Sequence, residues 1–477
     1  MNDVFPKGWI GIDLDKILVY GKGKKPKTLS HTKDDDLVPY INIKAFEQGI
    51  IDEYADTKSS KLISKTDILV VWDGARFGLT GMGMEGAAGS TLMVLTPILI
   101  HPEFLYNFIN RHYSYINSKP KGTGTPHVNP DIFWQLQFPI APLNEQKRII
   151  AKLDQIMPLM AKVKQRLDKI PAIIKRFRQS VLTAAVTGKL TEKWRDKHPE
   201  VNNAMELISR KNFSINKEFK ELYDIPDNWI WCALGNYADL SRGRFSIRPR
   251  NDPRYYNGKY PFIQIGNLPK QGGFITEHNQ TLNELGLRVS KQFKENTIAI
   301  AIVGATIGNT GLLAYEMCFP DSLIGIITPT KFSSLYVDYY LRTEKENIRN
   351  ISYSSGGQPN IKLPTLTEYP FPLPPLPEQE EIVRQVDKLF ALSDKLGSHY
   401  QKAKARVDKL SQSILAKAFR GELVITEAEL AEKEGRDFES AEKLLERILD
   451  EKAKLIGIRK SRGNRKRTKQ ENKSKKK

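Results

Sequence analysis

Two short runs in this chain have residue types that could hold a base for methylation. Amino-methyltransferases acting on DNA bases use Asn or Asp, two prolines and then an aromatic ring. Asn129-Pro-Asp-Ile-Phe133 and Asp252-Pro-Arg-Tyr255 resemble that pattern, but each lacks the second proline. A nuclease needs paired carboxylates and a lysine. Glu218-Phe-Lys220 could be one end of such a set, yet its upstream partner would be Pro199-Glu200, in a polar stretch. Gly83 to Thr91 is glycine-rich without the lysine of an ATP phosphate cradle, so a turn is the plainer reading. Seven histidines lack metal-ligand spacing. Cys232 and Cys318 stand far apart in apolar settings and read as buried structural thiols of a reducing cytoplasm. No catalytic, cofactor-binding or metal site is assigned.

Basic loops offer a different chemistry. Gly21-Lys-Gly-Lys-Lys-Pro-Lys27 carries Lys22, Lys24, Lys25 and Lys27. Ser241-Arg-Gly-Arg-Phe-Ser-Ile-Arg-Pro-Arg250 carries Arg242, Arg244, Arg248 and Arg250. Gly74-Ala-Arg-Phe-Gly78, with Arg76, matches Gly304-Ala-Thr-Ile-Gly308, with Thr306. Lys121-Gly-Thr-Gly-Thr-Pro126, with Thr123 and Thr125, matches Ser354-Ser-Gly-Gly-Gln-Pro359, with Ser355 and Gln358. Such loops suit close approach to phosphates and base edges, although any one of them could be a solvated turn. Arg76, Lys121, Arg242, Arg244 and Arg248 are the first candidates. The formal charge is +19. The stretch Arg459–Lys477 holds 11 Lys or Arg and one Glu, hence +10, which leaves +9 on the rest. An excess that survives removal of the tail favours a polyanionic partner.

The elements that position these loops come in duplicate. PLNEQKRIIAKLD from Pro142 returns as PLPEQEEIVRQVD from Pro375, and SVLTAAVTGKLT from Ser180 returns as SILAKAFRGELV from Ser413. Between these ends, apolar residues recur in steps of four and three. The first copy has Ile149, Leu153, Ile156, Met160, Val163, Leu167, Ile170, Ile174, Phe177 and Val181. The second has Ile382, Val386, Leu389, Ser393, Leu396, Tyr400, Ala403, Val407, Leu410 and Ile414. That is a coiled-coil seam, weakened at Ser393 and Ala403. Prolines precede each helix, Glu145-Gln146 and Glu378-Gln379 suit the positive end of its dipole, and Gly188 and Gly421 stop it. Pro158 and Pro171 have no counterpart in the second copy and predict a bent or broken first arm. The two helices are expected to pair with each other, antiparallel, within the chain.

The segments before the helices are related more loosely. Pro6-Lys-Gly-Trp9 matches Pro226-Asp-Asn-Trp229, and Pro39-Tyr-Ile-Asn-Ile43 matches Pro261-Phe-Ile-Gln-Ile265. Asp67-Ile-Leu-Val-Val71 resembles Asn296-Thr-Ile-Ala-Ile300. Short β-branched runs between turn residues read as strands, with limited helix near 102–115 and 335–349. The predicted fold class is α+β: two pseudo-repeated globular domains joined by two long helices in an antiparallel intramolecular coiled coil. The expected divisions are a first domain 1–143, its helix region 144–195 and a polar linker with a short helix 196–222. A second domain 223–376 and its helix region 377–425 follow, then a charged helical tail 426–457 and a basic, unstructured end 458–477. No run is long and apolar enough to span a membrane, and the N-terminus does not read as a signal peptide.

On the two helix starts, the two helix ends, the Pro-x-x-Trp domain starts and the pair Asn203-Ala-Met-Glu-Leu-Ile208 and Ser440-Ala-Glu-Lys-Leu-Leu445, nearly the whole chain resembles a specificity subunit of a type I restriction-modification system. The resemblance implies two target-recognition domains, each reading one part of a bipartite double-stranded DNA sequence. It implies a helical spacer that sets the gap and docks two modification subunits, which bring S-adenosylmethionine and methylate adenine. Restriction subunits, with ATP and Mg2+, would join them; this chain would hold no cofactor and do no catalysis. Rival readings are a specificity subunit of another multisubunit restriction-modification class, a coiled-coil scaffold that binds protein, and a self-sufficient nuclease or methyltransferase.

Overall fold

The strands that build each globular half are short because turns interrupt every apolar run. The computed structural model describes residues 5, 6, 8–122, 124–208, 213–354 and 359–474, with the side chains of Ser354 and 458–474 excepted. The chain forms two units: Met1–Leu167 with Lys402–Lys477, and Asp168–Gln401.

At the centre of the first unit lies Ile68–Val71, buried along its whole length. A strand with no polar alternation has both faces covered. Ile68 and Val70 enter one core, with Trp9, Phe104 and Phe138, while Leu69 and Val71 enter a second, with Ile41 and Ala88. The second unit repeats this with Ile298–Ala301: Ile298 and Ile300 join Trp229 and Tyr336, and Ala299 and Ala301 join Phe293 and Phe319. The sheets match as well. Leu18–Lys22, Leu92–Pro97, Ile68–Val71 and Thr80–Met82 lie side by side, antiparallel, in the first unit. Asp239–Arg242, Leu323–Ile327, Ile298–Ala301 and Thr310–Leu313 do so in the second, which adds Phe274–Ile275 in parallel. Each unit has a further small sheet around one parallel pair, Leu37–Ile41 with Gly86–Ala88 and Tyr256–Phe262 with Met317–Cys318. A ribbon closes each half, pairing Ile10 with Ile140 and Ile230 with Leu373. The two predicted helical stretches are each split in two, at His112 and at Glu344.

Three long helices form the arms: α1 (Leu143–Leu167), α2 (Ile170–Val186) and α3 (Leu376–Ala418). The fold is α+β, two like domains joined by long helices in an antiparallel intramolecular coiled coil. In the first unit Arg148 pairs with Glu427 and Lys164 with Asp408; in the second Arg178 pairs with Asp394 and Arg195 with Glu378. One partner number falls as the other rises, which sets the direction.

The seam departs from the strict heptad in its middle. Ile149, Leu153, Val181, Ile382 and Val386 are buried, and Ile156, Leu167, Ile174, Phe177, Leu389, Val407 and Ile414 are partly so. Leu396 and Leu410, predicted seam residues, are each 51% exposed, and Val163 is 42% exposed. A straight helix drifts against a 3.5-residue repeat, so the buried stripe moves by a residue. Gly397 takes the place expected for Leu396, since a Cβ on it would stand 4.0 Å from Ile174 Cδ1, while Tyr400, a predicted seam residue, is buried as expected. Pro158 also departs from expectation, since α1 continues through it. The break falls at 168–169, and Pro171 opens α2, where its missing N–H has no helical partner to lose.

The Glu-Gln pairs of the repeat do more than face a dipole. Trp9 Nε1 donates to Glu145 Oε1 at 3.1 Å, and Trp229 Nε1 donates to Glu378 Oε2 at 2.9 Å. Gln146 and Gln379 each donate to the carbonyl five residues back, Ala141 and Pro374, at 2.8 Å. All four side chains are buried. The helix ends dock on the same corners. Gly188 (φ +74) abuts Pro226 in the second unit and Gly421 (φ +68) abuts Pro6 in the first; a Cβ would come within 2.4 and 2.6 Å of the proline rings. Each domain therefore receives the start of the helix that follows it and the end of the other helix, which is why both ends of the repeated segment recur.

Beyond Gly421, α4 (Glu427–Glu434) and α5 (Ala441–Ser474) belong to the first unit. Thr426 and Glu429 form a capping box on α4, and Ala441, Leu444 and Ile448 enter the core beside Phe104 and Phe108. In the second unit the matching Ala204 is buried, but the predicted short helix is a single 3-10 turn, Ala204–Leu207. The basic end, expected to be unstructured, has helical backbone to Ser474; its side chains and residues 475–477 lie outside the described residues. A helix already nucleated on a core extends more easily than one that must start in water.

Cys232 and Cys318 are buried free thiols. Burial pushes Cys232 up to about 12 and Cys318 to about 11. The thiolate is the reactive form. Neither should react with Ellman's reagent in the native chain at pH 8, and both should after denaturation; a fast native reaction would contradict this packing.

Candidate nucleic-acid interface

In the first unit the basic loops meet at Asp73, which follows the buried central strand. Lys22 Nζ stands 2.7 Å from its carboxylate. The backbone of Asp73 bridges to His127, which bridges in turn to Lys121, and Gly74 N–H donates to Pro126 O at 2.9 Å. The 21–27, 74–78 and 121–127 loops are thereby brought to one patch. Lys121 Nζ lies 3.2 Å from Asp131, and Arg76 Nη1 lies 3.5 Å from Glu47. Lys24, Lys25, Lys27 and Thr125 are exposed; Thr123 lies outside the described residues.

In the second unit the organiser is Asp321. Arg242 Nε donates to its carbonyl at 2.6 Å, Arg250 pairs with Oδ1, and Arg248 Nη2 is 3.7 Å from Oδ2. Arg244 instead grips the Ser290 carbonyl with Nε and Nη2, at 3.1 and 2.7 Å. A guanidinium carries five N–H donors, so a brace of one or two leaves the rest for an incoming acceptor. Thr306 Oγ1 donates to Val303 O and is only half-exposed, which makes it a turn residue. Ser355 and Gln358 lie outside the described residues. The bracing acids Asp73, Asp131 and Asp321 escaped a sequence reading that sought cations; for Asp73 and Asp321 the available signal was their placement just past apolar strand segments, whereas Asp131 sits in the short helix Pro130–Phe133.

The runs that resembled catalytic motifs have local explanations. Asn129 Oδ1 accepts from Asp131 N–H and Asp252 Oδ1 from Arg254 N–H, so both are helix caps ahead of proline. Lys220 is buried, paired with Glu344 and set over the rings of Tyr223 and Tyr340. Among the described residues no group of His, Cys, Asp or Glu could hold a metal, and no helix is long and apolar enough to cross a membrane.

Two like domains bearing unlike basic loops, joined through antiparallel helices, define a duplicated recognition protein. The chain belongs to the type I restriction modification DNA specificity domain family, whose model matches residues 6–172 and 226–402. It is 33% identical over 382 residues to the type I restriction enzyme EcoDI specificity subunit of Escherichia coli, covering 77% of this chain and 81% of that one. The EcoKI specificity subunit of Escherichia coli K12 is 29% identical over 489 residues, covering 96% and 98%. A solved structure described as the basis of complex assembly and conformational transition of the type I R-M system aligns with a TM-score of 0.64. It shares 20% identity and covers 88% of this chain and all of that one, a likeness of fold.

Proposed function

We propose that this chain is the DNA-reading subunit of a type I restriction-modification complex. Each unit reads one part of an asymmetric, bipartite duplex target. The observation that carries this reading is the contrast between the units: one topology twice, with lysines around Asp73 in the first and arginines around Asp321 in the second. Equal scaffolds can hold two copies of a partner while unequal loops make the target asymmetric. The helices set the distance between the half-sites and dock two modification subunits. Leu159, Val163 and Leu410 in the first unit and Ile173, Leu392 and Leu396 in the second leave apolar side chains exposed on these helices, suited to such docking. The modification subunits supply S-adenosylmethionine and methylate adenine; restriction subunits supply ATP- and Mg2+-dependent translocation and cleavage. The chain itself performs no catalysis and works in the cytoplasm.

Mobility shifts with random duplex at several salt concentrations test the reading. Affinity should fall steeply with salt, by roughly 0.9 log units per log unit of salt for each phosphate contacted. Binding without salt dependence, or no binding, would count against it in favour of a protein-binding scaffold.

Asp321→Ala has two expected effects of opposite sign. Freed from their brace, Arg248 and Arg250 lose orientation, and target affinity should drop about tenfold, the scale of one base contact. Random duplex should bind as well or slightly better, because a negative charge is gone. Equal losses on both duplexes would show that Asp321 does not orient specific contacts.

A further inference from the structure

The second unit holds a cationic cleft of about 660 Å³ that the recognition loops do not account for. Two arginines form its fixed wall. Arg342 Nη1 stands 3.6 Å from the wholly buried Asp338, and Arg178 is bound to Ser393, Gln271 and Asp394. Both guanidiniums lie over the Phe390 ring, at 5.7 and 4.9 Å. Three lysines, Lys175, Lys270 and Lys345, also line the cleft and have no ion-pair partner among the described residues. Among the described residues the only carboxylates in the lining are Glu346 and Asp394, and Asp394 is already paired with Arg178.

Glycine turns shape the cleft around its cations. Gly272 (φ +72) makes room for Arg342: a Cβ there would sit 2.6 Å from Arg342 Cδ. Gly308 (φ +81) lies under the stem of Lys345, with Cγ 3.0 Å from such a Cβ. In the first unit the matching Gly78 faces Ile116 and Tyr113 instead, so this cationic arrangement is not repeated there.

We propose that this cleft is a phosphate-binding site, with Lys175, Lys270 and Lys345 as its ligands. Three unpaired ammonium groups around one cavity suit a group with several anionic oxygens. Lysine, a flexible point charge, supplies affinity without reading a base. The proposal rests on the DNA reading in taking a backbone phosphate as the source; a free phosphorylated molecule would present the same group.

The test is acetylation of the purified full chain with its modification subunits, read by peptide mass spectrometry. Samples contain no ligand, random duplex, or inorganic pyrophosphate, and mobility shifts are run on the duplex samples. With ligand at about ten times its Kd, the three lysines should react roughly tenfold more slowly, while exposed Lys409, Lys433 and Lys443 should change little. A shifted duplex with no protection by either ligand overturns the cleft and leaves the DNA reading standing. Protection by pyrophosphate alone keeps the site and assigns it to a free phosphorylated molecule. If duplex does not shift, the DNA reading fails and the pyrophosphate arm decides the cleft by itself. Lys175→Gln, Lys270→Gln and Lys345→Gln together should lower random and target affinity alike and flatten the salt slope by about 0.9 per phosphate lost. An unchanged slope would overturn the backbone phosphate as the source, and together with no protection by pyrophosphate it would overturn the site.

Discussion

Glu378→Ala should destabilise the second unit by roughly 3–5 kcal/mol, the usual cost of stripping one partner from a buried ion pair. The side chain is fully buried. Its Oε2 accepts from Trp229 Nε1 at 2.9 Å and Asn228 Nδ2 at 3.2 Å; its Oε1 accepts from Thr191 Oγ1 at 2.7 Å and from Arg195. One carboxylate thus holds the start of α3, the end of the first arm and the corner of the domain. Without it, a largely buried guanidinium loses its counter-charge and keeps only the Gly188 carbonyl and the Thr191 hydroxyl as acceptors. Urea unfolding followed by tryptophan fluorescence should report the loss, because Trp229 sits at the junction. Glu145 is the counterpart with fewer ties: Trp9 and the backbone N–H of Glu427. Burial raises its pKa from the ordinary carboxylate range, with the neighbouring Glu427 charge adding to the rise. Glu145→Ala should therefore cost less, about 1–3 kcal/mol. Equal losses at the two positions would refute the difference drawn between the junctions.

A heptad inserted in one arm only should abolish target methylation, whereas matched heptads in both arms should restore it with a longer gap. The pair Lys164–Asp408 marks the register. Seven residues placed after Lys164 alone slide every later pair by about 10 Å at 1.5 Å per residue. The arms could then no longer deliver both helix ends to the corners at Pro6 and Pro226. Seven further residues placed before Asp408 return the register. The two half-sites should then lie farther apart by up to about three base pairs at 3.4 Å per step. Sequencing of methylated motifs in cells carrying each variant is the measurement. A gap unchanged by the double insertion would mean that the helices do not set the spacing.

The duplication and the α+β class were legible because the segments that repeat are local strings. Seam ends such as Ile149 and Val386 were legible too, since heavy burial selects apolar residues at regular steps. The middle was legible only in part: Ser393 and Tyr400 are buried as their spacing predicts. Leu396 and Leu410 have the right residue type and spacing too, yet the residues met across the arm decide which side is covered, and Gly397 faces Ile174 where Leu396 was expected. Pro158 showed a similar limit: a missing N–H weakens a helix, and neighbouring turns carried α1 through it. The basic loops could be found from composition, but their braces could not. Asp73, Asp321 and the Ser290 carbonyl become partners only when the strands pair. The Glu-Gln signature was visible as a helix start, while its tryptophan partner comes from the beginning of the domain, far away in sequence.

The most direct measurement of the central claim is base-resolution mapping of methylated adenines in host DNA with and without this gene. The account predicts loss of one asymmetric, bipartite motif and no other change. Persistence of every methylated motif in a host whose modification subunits are active would contradict it.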